Sequence, residues 1–136
     1  MSDDLIFEVS GYQKTPLTLL ARVCAEDATG SASPVTKEGS LVKQADVSGI
    51  AVKSFAVSDG AQNGSTQSPT ASTVISDTLQ TSGIWGNLPR GGNAKYTAPA
   101  TFFPDAVQTK VEMTVTLTGG TVGRVVWLVD VQPILS

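Results

Sequence analysis

From Val107 to Thr118 the chain alternates strictly. Val107, Thr109, Val111, Met113, Val115 and Leu117 hold the odd positions, and Gln108, Lys110, Glu112, Thr114, Thr116 and Thr118 the even ones. A period of two with one mostly apolar side predicts a strand with one face in a core and the other in water. Gly119-Gly120 follows and supplies the positive φ angles of a tight reversal. The returning stretch does not alternate: Val125, Val126, Trp127, Leu128 and Val129 run without a polar break. A strict two-residue loop would set Arg124, Val126, Leu128 and Asp130 beside the buried valines, at several kcal/mol for each unpaired ion. A glycine bulge shifts the register by one, turning Val125, Trp127, Val129 and Val131 inward and both charges outward. Desolvation favours the second pairing. Val126 and Leu128 then stand on the outer face and need a cover. A long loop, the segment Leu5-Ile6-Phe7 or a neighbouring subunit could each supply it.

The rest of the chain continues the pattern. Leu5–Val9 predicts a short first strand. Leu17–Ala25 predicts a second, with Leu17, Leu19, Ala21 and Val23 on one side. Ser48–Ser58 predicts a third, with Ala51, Phe55 and Val57 sharing a side. Thr73–Leu79 and Ala94–Ala98 predict a fourth and fifth, and PATFFP sets Phe102 and Phe103 at a corner. The stretches 26–40 and 59–73 lack periodicity and are rich in turn formers, so both are expected as long loops. Many short strands with polar connections and little or no helix predict an all-β, antiparallel β-sandwich, immunoglobulin-like or jelly-roll-like. Residues 1–136 are expected to form one such domain, since a chain of this length buries about two-thirds of its extended surface.

Composition sharpens this mainly by exclusion. The chain has no histidine, so Ser-His-Asp and Cys-His mechanisms and His-ligated zinc are absent. A single cysteine, Cys24, forms neither an intrachain disulfide nor a thiolate metal site, and in LLARVCA it is expected as a small buried hydrophobe. GNLPRGGN lacks the Lys-Ser/Thr of a phosphate loop and predicts a wide turn. These features predict no enzyme, no catalytic residue, no metal, no cofactor and no small-molecule substrate. Nine basic residues are scattered singly through a chain of net charge −3, which disfavours nucleic acid as a partner. No apolar run is long enough for a membrane helix. The opening MSDDLIF carries acids where a secretory signal carries Lys or Arg, so general export is not expected, and Asn63-Gly64-Ser65 is not expected to be glycosylated.

The segments LIFEVSGYQKTPLTLLARV, QADVSGIAV, VISDTLQTSGIW and PATFFPDAVQTKVEMTVTLTGG resemble a group of small immunoglobulin-like proteins encoded among the structural genes of tailed bacteriophages and prophages. The similarity is spread along most of the chain in short motifs that describe sandwich corners. AVQTKVEM, after the FP corner, holds no Tyr, so the tyrosine-corner hydrogen bond of immunoglobulin folds is not expected. The resemblance implies a virion component made in the host cytoplasm, with no catalytic residue to carry over.

The leading expectation is a capsid decoration or cement protein that contacts the major capsid protein or other virion proteins, and that forms homo-oligomers. A head–tail connector or tail component is the alternative within that class. A glycan- or receptor-binding module is the alternative outside it, with Trp85 in GIWGN as stacking platform. Expected interface residues are Val126 and Leu128, the segment Leu5, Ile6 and Phe7, and the terminal pair Ile134 and Leu135.

Overall fold

The computed structural model describes residues 5–25, 40–88, 91–120 and 122–134. Nine strands are present among them: β1 (Leu5–Tyr12), β2 (Leu17–Ala21), β3 (Cys24–Ala25), β4 (Ser40–Leu41), β5 (Val47–Ala56), β6 (Ile75–Gln80), β7 (Gly92–Ala98), β8 (Gln108–Leu117) and β9 (Val122–Gln132). Among the described residues helix is confined to one turn, α1 (Ala71–Val74), and three short 3-10 segments. A four-stranded sheet, β1-β9-β8-β5, faces a three-stranded sheet, β2-β7-β6, and β3 pairs with β4 beside them. The chain is an all-β sandwich. The orders β5-β8-β9 and β2-β7-β6 match the C-F-G and B-E-D groupings of immunoglobulin domains.

One pairing departs from the wholly antiparallel expectation. β1 runs parallel to β9, with Ile6 beside Val126 and Phe7 beside Trp127. The reason is connectivity. After β1 the chain turns at Gln13–Pro16, where Lys14 takes φ 57°, and enters the other sheet, so β1 and β2 do not form a hairpin. β1 instead occupies the edge left open by the last strand.

The β8–β9 hairpin adopts the register that desolvation favours. Val111 stands opposite Trp127 and Met113 opposite Val125, with Val125, Trp127, Val129 and Val131 buried. Arg124 is half-exposed and Asp130 exposed. Gly120, at φ 93°, turns the chain, and its N–H donates to the Leu117 carbonyl. Val107, first of the alternating set, is exposed and precedes the strand.

A single buried cluster joins the two sheets, with Val111, Val115, Trp127 and Val129 from one and Leu19, Ala21, Tyr96 and Ala98 from the other. Phe102 and Phe103 close one end, packed edge-to-face at 6.4 Å. On β5, Ala51 and Phe55 share the outer side, Val57 follows the strand's end, and Ile50, Val52 and Ser54 enter the core. Buried Ser54 is tolerated because its hydroxyl donates to the Phe102 carbonyl at 2.8 Å. The expected second strand breaks after Ala21, where Val23 and Cys24 turn toward β4. Of the loop expected at 26–40, residues 26–39 lie outside the described residues. The 59–73 loop ends early in α1, whose Val74 is buried.

Gly92 lies where the backbones of β2 and β7 come close together. A Cβ there would stand 2.6 Å from the Ala21 carbonyl oxygen and 2.9 Å from Trp85 Cζ3. Only glycine lets β2 and the Trp85 turn close on β7 at that point.

Candidate interaction surface

The outer face of the four-stranded sheet is built from alternate residues of four strands. β9 contributes Arg124, Val126, Leu128 and Asp130; β8 contributes Gln108, Lys110 and Glu112; β1 contributes Ile6 and Glu8; β5 contributes Lys53 and Phe55. Ile6 is 59% exposed, whereas Val126 is only 7% exposed. On its own face Val126 is flanked by Ile6 on one side and Glu112 on the other, with Arg124 and Leu128 along the strand. The 57–70 segment runs along the edge of β5, bridging Gln67 to Val52 and Gln62 to Phe55.

Charge lies beside the apolar patch. Lys110 Nζ meets Glu112 Oε2 at 2.8 Å and sits 5.4 Å from the centre of the Phe55 ring, while Arg124 Nη1 reaches Glu112 Oε1 at 3.4 Å. Burial pushes the Glu112 carboxyl upward, but the hydrogen bond and charge of Lys110, together with Arg124, outweigh it and hold the group below its ordinary value. A carboxyl lowered on folding adds stability above its unfolded pKa, and that stability is lost as pH falls through the folded value. Native protein should therefore lose, below about pH 4.5, an increment of stability that Glu112→Gln lacks. At neutral pH the substitution should cost less than about 1 kcal/mol, because both cationic partners are some 40% exposed. Urea midpoints of the two proteins from neutral to acid pH test this, and parallel curves would overturn it.

Two shallow hollows open on this face. One, of about 350 Å3, is lined by Phe55, Val57, Gly60, Lys110, Glu112 and Leu128. The other, of about 250 Å3, is lined by Glu8, Ser10, Gln108, Leu128 and Asp130. Leu128 is common to both and forms the ridge between them. The first is mostly apolar with Lys110 and Glu112 at its side and the second mostly polar around Leu128, a mixture suited to seating a protein surface.

The residues expected at an interface divide into groups. Ile6, Val126 and Leu128 come together on the outer face. Phe7 does not: alternation turns it inward, where it stacks on Trp127 at 6.4 Å. Leu5 pairs with Val125 along the backbone, and its side chain lies outside the described residues. Ile134, 49% exposed, follows β9 and is separate from the patch; Leu135 lies outside the described residues. Trp85 is corrected as a stacking platform. It is 8% exposed, with its ring packed over Gly92, and presents no open face to a sugar. Sequence reasoning missed Lys110, Glu112, Phe55 and Glu8. The signal was available in the even positions of β8, where a Lys and a Glu two apart share the face that carries Val126. Among the described residues no group of three or more Cys, Asp or Glu side chains could hold a metal ion. No protein-family model, curated protein or solved structure matches this chain.

Proposed function

We propose that this chain is a non-enzymatic structural protein of a virion, a decoration or cement subunit that docks on the major capsid protein through the outer face of its four-stranded sheet. The observation that carries the docking reading is Leu128, an apolar ridge between two open hollows with exposed Ile6 nearby and Lys110 and Glu112 at the rim. An apolar centre with a charged rim is the usual anatomy of a specific protein contact. The resemblance of the sandwich-corner segments to phage structural proteins supplies the particle. A rigid sandwich suits the role because its face keeps its shape when a neighbour binds.

Leu128→Glu tests the reading. The side chain is half-buried at the surface of the free protein, so the variant should fold with an unchanged circular dichroism spectrum and lose less than about 1 kcal/mol of stability. On docking, the new carboxylate would be buried unpaired, costing several kcal/mol of association. Cosedimentation with shells assembled from the accompanying major capsid protein should retain the native chain and lose the variant. Equal retention of both overturns the docking face. Labelled particles that show the chain on the tail would move it to the head–tail connector or tail class.

A further inference from the structure

The two edges of the four-stranded sheet are built differently. At the β5 edge, residues 57–70 fold back along the strand. Val52 and Gln67 exchange backbone hydrogen bonds at 2.8 and 2.9 Å, and Asn63 N–H donates to the Ser54 carbonyl at 2.8 Å. That edge is occupied. At the other edge, β1 takes its backbone partners from β9 alone among the described residues. Alternate residues of a strand paired on one side direct their N–H and C=O groups outward, ready for another strand. The strand's own sequence carries little of the usual protection against such pairing. LIFEVSGY contains no Pro, no Lys and one charge, and its register with β9 runs without a bulge. A groove of about 200 Å3, lined by Phe7, Val9, Thr18, Leu20 and Leu88, opens beside it.

We propose that two copies of this chain pair along β1, antiparallel about a two-fold axis through Val9, so that their four-stranded sheets become one. The residue pattern selects both occupant and register. A two-fold axis normal to the sheet keeps each face continuous, so a residue must pair with one on the same side of the strand. Centred on Glu8, the pairing sets that carboxylate against its own copy, and like charges directly opposite are destabilising. Centred on Val9, Glu8 faces the partner's Ser10, a hydroxyl donor. Ile6 then faces the partner's Tyr12. These two side chains, 59% and 61% exposed in the single chain, are the most exposed large hydrophobics among the described residues, and the register covers each with the other. On the inner face Phe7 meets the partner's Gly11, an aromatic over an edge glycine, and Val9 meets its own copy. The joined sheet presents both Leu128 ridges on one side. This pairing goes beyond the docking reading and is tested without any shell.

The test is a charge swap read by sedimentation equilibrium. The native chain should sediment as a dimer of the 14.1 kDa protomer. Ile6→Lys and Tyr12→Glu, each at an exposed position, should leave the circular dichroism spectrum unchanged and weaken the dimer roughly tenfold or more, since each removes two symmetric cross-strand pairs. Ile6→Lys/Tyr12→Glu in one chain should restore the dimer, because each introduced Lys then faces the partner's introduced Glu. A native chain that is monomeric at high micromolar concentration overturns the proposal. So does a dimer that neither single substitution weakens, and so does a double variant that stays dissociated.

Discussion

Truncating Trp127 to Ala should lower the free energy of unfolding by about 3–5 kcal/mol, among the largest single losses open to this protein. Trp127 is 1% exposed, stands opposite Val111 in β8 and stacks on Phe7 of β1, so its removal opens a cavity bounded by three strands. It also spans the sandwich. Its indole N–H donates to the Leu20 carbonyl of β2 at 3.1 Å, satisfying an edge strand of the opposite sheet. Trp127→Phe keeps one six-membered ring but loses the donor together with part of the indole's volume, so it should cost less than the Ala variant yet at least the about 1–3 kcal/mol of the unmade hydrogen bond. Urea unfolding should show both variants with a lowered midpoint and an unchanged slope, as expected when compactness is kept. A midpoint unmoved by Trp127→Ala would place the ring outside the core and the hairpin in the other register.

That hairpin was legible in the sequence because two independent constraints agreed. Strict alternation fixed the buried face of β8, and the cost of burying Arg124 and Asp130 selected the register of β9. β5 was harder, since SGIAVKSFAVS carries apolar residues on both sides and its buried side includes Ser54, a polar residue that pattern reasoning assigns to solvent. The Phe102 carbonyl, 48 residues away, accepts from its hydroxyl and the Asn63 amide donates to it, and together they make that burial tolerable. The surface was legible in part. Val126 and Leu128 stood out as apolar residues on a polar face, but Phe7 followed the rule for strands and went inward. Ile6 stands beside Val126 only because β1 joins β9 in parallel. Nothing local in LIFEVSGY states that choice, because a first strand in a sandwich can pair on either sheet.

Asn93 was the largest omission, and it carries the other large expected effect. Within GGN it looks like a turn residue, yet it lies in β7 with no exposure. Its Oδ1 accepts the Val23 N–H at 2.7 Å, and its Nδ2 donates to the carbonyls of Val23 and Val42 at 3.0 and 2.9 Å. One amide therefore ties β7 to the backbones that flank the β3–β4 pair, where neither strand is long enough to hold itself. Asn93→Ala strands the Val23 N–H and the Val42 carbonyl in the interior, while the Val23 carbonyl keeps the Val42 N–H at 3.0 Å, and at about 1–3 kcal/mol for each stranded group the loss should be about 2–6 kcal/mol. Asn93→Asp gives the sharper test. A carboxylate can still accept from Val23, but its second oxygen faces two carbonyls and cannot donate. The folded state should then hold this Asp protonated, raising its pKa above the unfolded value. The sign follows: the folded chain binds the extra proton, so the variant's stability falls as pH rises from the unfolded pKa to the folded one, and the penalty is full above both. Relative to Asn93→Ala, whose side chain does not titrate, Asn93→Asp should be less stable near pH 7 and should recover as pH drops toward about 4. A difference between the two variants that does not change with pH would mean that the amide is not held against those carbonyls.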